Sequence, residues 1–237
     1  MSRSRIDGQP AYVLHSYPFS ETSLIVEAFS RDFGRIVLLA RGARRPRSAL
    51  RGLLLAFQPL EIGWSGKSEV RTLMKAEWRG GQPLLSGKAL LCAYYLNELL
   101  LRLLPRDDAH ERLFSAYSET LRRFAEGLRE SDLRCFECSL LRELGYGLTL
   151  EHDTEGSPLD ASSDYIYEIE RGPARATAFR EAALSVKGKT LIDMANSDFS
   201  DPRSLMEAKQ LMRRLIANYT SGKDLQARKF FMELQEL

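Results

Sequence analysis

The sequence predicts an α+β protein: a five-stranded β-barrel followed by a mostly α-helical domain with a small irregular, β-containing insertion. Three observations carry this. Over the first eighty residues, short apolar runs alternate with turn residues. Gly80-Gly-Gln-Pro83 then punctuates the chain, and the apolar residues beyond it recur at helical spacing. Finally, residues 151–170 hold seven acids and no Lys or Arg, which interrupts the helical pattern. The change of period places a domain boundary near residue 80, giving domains of 1–80 and 81–237.

Taken in order, residues 11–15 read as a first strand and 23–30 as a second. Arg31-Asp-Phe-Gly34 is a turn in which Gly34 can take positive φ without steric cost. Residues 35–41 form the third strand, 59–64 the fourth and 69–76 the fifth, with Val70, Thr72 and Met74 alternating against Arg71, Leu73 and Lys75. Five short strands suit an oligonucleotide-binding (OB) barrel, and an SH3-like barrel has a similar number. Beyond residue 88 a helix runs to Pro105, which stops it. Asp107 or Asp108 is placed to cap a second helix over 109–129, whose apolar stripe is Leu113, Phe114, Tyr117, Leu121, Phe124 and Leu128. Ser131 or Asp132 caps a third over 133–144, closed by Gly145. Residues 151–180 read as an acidic loop with short strands at 165–169 and 174–179. Helices return at 189–196, 201–219, with Pro202 in the first turn, and 225–237.

Composition narrows the class. At 237 residues, 44% hydrophobic and 28% charged, the chain is an ordinary globular one. No apolar run approaches the ~20 residues of a membrane span. Arg3 and Arg5 have no apolar segment after them, so no signal peptide is expected. Three cysteines do not make a disulfide framework, which points to a reduced, cytoplasmic protein.

The positive charge is concentrated. Between Arg31 and Arg51 stand seven arginines and one acid, net +6, in a chain whose total is +2. Gly42 and Pro46 disfavour a helix there, so the arginines project from one edge of the β domain. Arg binds phosphate oxygens bidentately and stacks on bases. The stretch therefore reads as a nucleic-acid backbone site or, more plainly, as a solvated basic loop. The candidate DNA-facing set is Arg35, Arg41, Arg44, Arg45, Arg47 and Arg51, with Lys67 from the turn before the fifth strand and Arg71 from that strand. A second concentration runs from Arg203 to Lys229, seven bases against Glu207 and Asp224, net +5. Its candidates are Lys209, Arg213, Arg214, Lys223 and Arg228; the plain alternative is an amphipathic helix with a basic outer face.

Other chemistries are poorly provided for. Cys135 and Cys138 have zinc spacing but lack a second pair, so core packing is the better reading. Gly188-Lys-Thr190 looks like the end of a phosphate-binding loop, yet 183–187 contain no glycine to form the cradle. Only His15, His110 and His152 are present, and no catalytic motif includes them. No metal, cofactor or enzymatic site is expected.

A family resemblance then emerges. Val13-Leu-His-Ser-Tyr-Pro-Phe-Ser-Glu-Thr-Ser-Leu24, Gly34-Arg35, Ala40-Arg-Gly-Ala-Arg-Arg-Pro-Arg-Ser48 and Phe57-Gln-Pro-Leu60 resemble the amino-terminal domain of the RecO family. Tyr95-Leu-Asn-Glu-Leu-Leu100, Phe136-Glu137 with Leu140-Leu141, Leu144-Gly-Tyr-Gly147 and Gly222-Lys-Asp-Leu225 match its helical part in order. The resemblance implies an OB domain followed by a helical domain, and a recombination mediator that is not an enzyme. It implies binding of single- and double-stranded DNA without sequence preference, and annealing of complementary strands. It also implies capture of the carboxy-terminal tail of single-stranded-DNA-binding protein (SSB), action with RecR, and indirect action on RecA, in the nucleoid-associated cytoplasm. By position, Arg134 is implied as a basic residue at the SSB-tail groove. Many members carry four zinc cysteines after the Leu-Gly-Tyr-Gly segment; Glu151-His-Asp-Thr-Glu-Gly-Ser-Pro stands there instead, so the chain resembles the zinc-free branch. The alternative reading is an adaptor that reaches DNA only through partner proteins.

Overall fold

The computed structural model describes residues 5–81, 83–146, 148–176, 185–220, 222 and 225–227. Five strands close into a barrel: β1 (Arg5–Phe19), β2 (Ser23–Ser30), β3 (Gly34–Ala40), β4 (Leu60–Ser65) and β5 (Val70–Trp78), in the order β1-β2-β3-β5-β4. All neighbours are antiparallel except β3 and β5. The five-stranded, OB-like expectation therefore holds. A short helix α1 (Leu50–Leu53) lies between β3 and β4, where the sequence suggested only loop. Helices α2 (Gly87–Leu103) and α3 (Glu111–Glu126) follow the barrel.

The barrel interior is filled by the residues that alternation would place there. Val26, Ala28, Ile36, Leu38, Ala40, Leu60, Ile62 and Trp64 are all buried in one cluster with Leu73 and Ala76. The fifth strand departs from strict alternation. Its inward residues, Leu73 and Ala76, are three apart, and the β4–β5 pairing shifts between Gly63 and Trp64. Val70 and Met74 are exposed in consequence. β1 is longer than residues 11–15 suggested. Gly8, at φ +69°, falls in a bulge between the Ile6–Trp64 and Gln9–Ile62 pairs, and Pro10 pairs with Glu61 of β4, while the second half of β1 pairs with β2.

Gly34 is demanded twice over. Its φ is +66°, and a Cβ there would lie 1.7 Å from the carbonyl oxygen of Asp108. That close approach displaces the expected cap. Asp107 has φ +59° and donates its backbone N–H to the Arg35 carbonyl at 2.9 Å, so α3 begins after His110 with no side-chain cap.

The helices meet the outer surface of the barrel through a β-bulge. Pairing shifts between Val13 and His15, leaving Leu14 out of the β1–β2 register. The Leu14 carbonyl instead accepts 2.8 Å from Asn97 Nδ2 of α2, and Asn97 Oδ1 accepts from the Tyr117 hydroxyl of α3. Burial pushes the Tyr117 phenol well up, which keeps it a donor. Tyr12, Phe29, Phe114 and Tyr117 pack edge-on and tilted around this bond, with centroids 5.2–6.1 Å apart.

Internal contacts divide the chain into Met1–Leu128 with Leu225–Leu237, and Arg129–Asp224. The change of period near residue 80 marks the end of the barrel, whereas the contacts group α2 and α3 with it. The second unit holds α4 (Glu130–Glu143), a sheet of order β7-β6-β8, and helices α5 (Gly188–Ala195) and α6 (Pro202–Tyr219). Its strands are β6 (Asp164–Glu168), β7 (Gly172–Arg175) and β8 (Ser185–Lys187). α4 starts after Arg129, so neither Ser131 nor Asp132 caps it, while Asp201 does cap α6 by accepting from the Arg203 N–H at 2.8 Å. Gly145, at φ +69°, ends α4 as expected. Residues 177–179 of the expected strand and 228–237 of the last expected helix lie outside the described residues.

Asn97→Ala is expected to destabilise the fold by about 2–4 kcal/mol, because it leaves the buried Leu14 carbonyl and Tyr117 hydroxyl without this partner. Urea unfolding measures it; a change under about 0.5 kcal/mol would show the clamp to be dispensable.

Candidate nucleic-acid interface

The arginine loop is fixed where β3 ends. The Arg44 N–H donates to the Thr22 carbonyl at 2.9 Å, and its guanidinium donates to the Ser20 carbonyl at 3.1 Å. The Gly42 N–H reaches Ser23 Oγ at 3.4 Å, and Ala43 is fully buried beneath. The loop is thus tied to the β1–β2 turn, and its other side chains are directed outward. Arg41, Arg44, Arg45, Arg47 and Arg51 are all exposed. Among the described residues, none of the five has an acidic partner. Several guanidinium groups elsewhere in this unit are paired, as in Arg31–Asp32, Arg102–Glu98, Arg106–Glu27 and Arg122–Glu119.

The β1–β2 turn brings aromatic side chains that sequence reading did not assign to the site. Tyr17 and Phe19 are 47% and 51% exposed, and the His15 and Tyr17 rings lie 4.3 Å apart. Side chains directly paired across strands share a face. Tyr17 pairs with Ile25, Ile25 with Leu39, and Leu39 with Thr72, so one partly open row crosses four strands beside the loop. The signal was present in Tyr17-Pro-Phe19, alternate rings at the end of a strand. Its meaning depended on knowing that Arg44 docks on Ser20 and Thr22.

Three predicted residues are placed differently. Arg35 is largely buried: it donates 2.8 Å to the Leu101 carbonyl and lies 3.9 Å from Glu27, and burial lowers its pKa. Arg71 pairs with Asp107 at 2.6 Å. Lys67 is exposed on the β4–β5 turn, and the Val37–Val70 pairing sets that turn toward the start of β3, away from Arg41. Arg35 and Arg71 therefore belong to an ion-paired row that includes Arg106, Glu27 and Glu69.

In the second unit, Arg134 is only 7% exposed and donates 2.7 Å to Glu137. Lys209 pairs with Glu130 at 2.8 Å. Arg213 and Arg214 are exposed on α6 with no ion pair among the described residues, opposite its buried face of Ala208, Leu211, Met212 and Leu215. Lys223 and Arg228 lie outside the described residues. Among the described residues no three His, Cys, Asp or Glu side chains gather as a metal site. Cys135 and Cys138 share α4, and burial pushes the Cys138 thiol up to about 12. No helix among those residues is long and apolar enough to cross a membrane.

Two family models match the chain: "Recombination protein O N terminal" over residues 5–81 and "Recombination protein O C terminal" over 84–229. Curated relatives agree. A "DNA repair protein RecO" of Dechloromonas aromatica is 64% identical, covering 99% of each chain. Those of Aromatoleum aromaticum and Nitrosospira multiformis are 55% and 51% identical, covering 99% and 100% of this chain and 99% of each relative. None of these names denotes an enzyme.

The two classes of arginine separate by stability. Arg35→Met is expected to cost about 1.5–3 kcal/mol, since it removes a charged hydrogen bond to the Leu101 carbonyl. Arg45→Ala is expected to stay within about 0.5 kcal/mol. Denaturant titration of both variants is the check; equal losses would place Arg45 in the framework.

Proposed function

The chain belongs to the RecO family, and from that footing we propose that it is a non-enzymatic recombination mediator that binds DNA through its barrel. The carrying observation is the group of loop arginines with no acidic partner among the described residues, beside exposed aromatic residues. Phosphates are neutralised by arginines that have no acid to leave among the described residues, and counterion release supplies the affinity. Tyr17 and Phe19 supply faces on which bases stack, a contact open to any base. Neither element reads base edges, so binding is without sequence preference and extends from single to double strands.

Residues 1–80 act as the DNA-binding domain, and 81–237 as the helical domain that meets protein partners. The family names of the relatives support a role in DNA repair. Annealing brings two polyanions together, so it needs positive charge in more than one place. The exposed Arg213 and Arg214 support a second basic surface, with Lys209 as a further member, while the buried, Glu137-bonded Arg134 takes no part in it. That surface captures the acidic SSB tail, and with RecR the protein helps RecA replace SSB. The setting is the cytoplasm, beside the nucleoid.

Replacing Arg44, Arg45 and Arg47 by Glu is expected to weaken naked single-strand binding by at least about tenfold, and to reduce the slope of log K against log salt by about 2, at about 0.7 per phosphate contact. Tyr17→Ala with Phe19→Ala is expected to cost about 1–3 kcal/mol per stacked base while leaving that slope unchanged. Fluorescence titration with SSB-free oligonucleotide reads both. Unchanged affinity and slope in the arginine variant would remove the loop from DNA binding, and no binding by the unaltered chain would favour the adaptor reading.

A further inference from the structure

A separate cavity of about 540 Å³ opens where α3 faces the barrel, walled by Pro10, Leu60 and Phe114 and edged by Tyr12, Ser118 and Arg79. Its size is that of small-ligand sites. It sits at the far end of the β2–β3 hairpin from the arginine loop. Ala11 pairs with Ser30, whereas the loop leaves β3 beside Leu24, about 20 Å away at about 3.4 Å per residue. No loop arginine reaches that far.

The charged groups around the cavity are unequal. Arg31 is held by both oxygens of Asp32, at 2.6 and 3.2 Å. Glu119 accepts from Arg122 and Arg123, which hold its carboxyl down at about 2, so its charge is already matched. Arg79 differs. Its backbone is fixed by a 2.9 Å bond from its N–H to the Pro59 carbonyl, yet its exposed guanidinium has no acidic partner among the described residues.

The hydroxyls are also incompletely used. Tyr12 Oη and Ser118 Oγ lie 2.8 Å apart. Two hydroxyls joined by one bond keep one further hydrogen to donate. Burial raises the Tyr12 pKa, so the phenol retains its proton at neutral pH. Tyr12 is itself only 4% exposed, so this donor is rigidly placed.

An unpaired guanidinium, a fixed hydroxyl donor and apolar walls together fit an anionic phosphate carried on a planar ring. We propose that this cavity binds one nucleotide unit. Arg79 takes the phosphate, the Tyr12–Ser118 pair donates to the base or sugar, and the ring lies against Pro10 and Phe114. The unit is a free mononucleotide or the 5′-phosphorylated end of a strand. This site does not depend on the strand-binding role of the arginine loop.

Calorimetric titration of the full chain with dAMP and with deoxyadenosine tests it. dAMP is expected to saturate, deoxyadenosine and the Arg79→Glu variant to bind at least about tenfold more weakly, and Tyr12→Phe to lose about threefold, as loss of a charged and of a neutral hydrogen bond respectively. The triple Arg44, Arg45, Arg47→Glu variant is expected to bind dAMP as the unaltered chain does. A 5′-phosphorylated oligothymidylate that displaces dAMP, where its 5′-hydroxyl counterpart does not, assigns the site to strand ends; failure to displace assigns it to free mononucleotides. Absence of saturation at millimolar dAMP overturns the proposal. So does dAMP binding that is unchanged in Arg79→Glu, or matched by deoxyadenosine, provided the variant's thermal midpoint is that of the unaltered chain.

Discussion

One buried hydrogen-bond relay holds the amino-terminal unit in its arrangement. A bulge in β1 leaves the Leu14 carbonyl outside the strand register, and Asn97 of α2 takes it up. Asn97 in turn accepts from Tyr117 of α3, so three elements are joined through one side chain. In a low-dielectric interior such a relay is strong when complete and costly when broken. The aromatic cluster of Tyr12, Phe29, Phe114 and Tyr117 closes over it and excludes water. The helices therefore cover one part of the outer sheet surface and leave the part beside Tyr17, Ile25 and Leu39 partly open.

That division separates two populations of arginine. Near the helices, Arg35, Arg71 and Arg106 meet Leu101, Asp107, Glu27 and Glu69, and their charge is matched internally. At the loop, Arg41, Arg45, Arg47 and Arg51 meet no acid among the described residues. An arginine with a carboxylate partner must give it up before it binds phosphate. One without a partner exchanges only water and counterions. The +6 window is thus smaller as a binding surface than its sequence count implies, because Arg31 and Arg35 are already engaged. In the second unit Lys209 is likewise paired, while Arg213 and Arg214 have no ion pair among the described residues.

The barrel was legible because antiparallel strands joined by tight turns carry their signal locally. Ser23–Ser30 was read to the residue, and Gly34 was identified as the turn glycine. The amino-terminal end of β1 was not, since Gly8 bulges at positive φ and Pro10 is paired with Glu61 of β4, some fifty residues away. The caps of α3 and α4 were misplaced for a related reason. Asp107 is drawn into a left-handed turn by its bond to Arg35, and Asp132 is buried inside α4. At β1 and α3 a tertiary contact overrides local propensity.

By itself the sequence determined the α+β class, the barrel and its five strands, the family, and the position of the arginine loop. Those follow from patterns within a few residues of one another. Only the tertiary structure decided which arginines are available, because a guanidinium's partner lies far along the chain: Leu101 for Arg35, Asp107 for Arg71, Glu27 for Arg106. It also decided that Tyr17 and Phe19 stand beside the loop, through backbone bonds from Arg44 to Ser20 and Thr22. Charge is a property of composition, but its availability depends on distance, and distances are set only when the chain has folded.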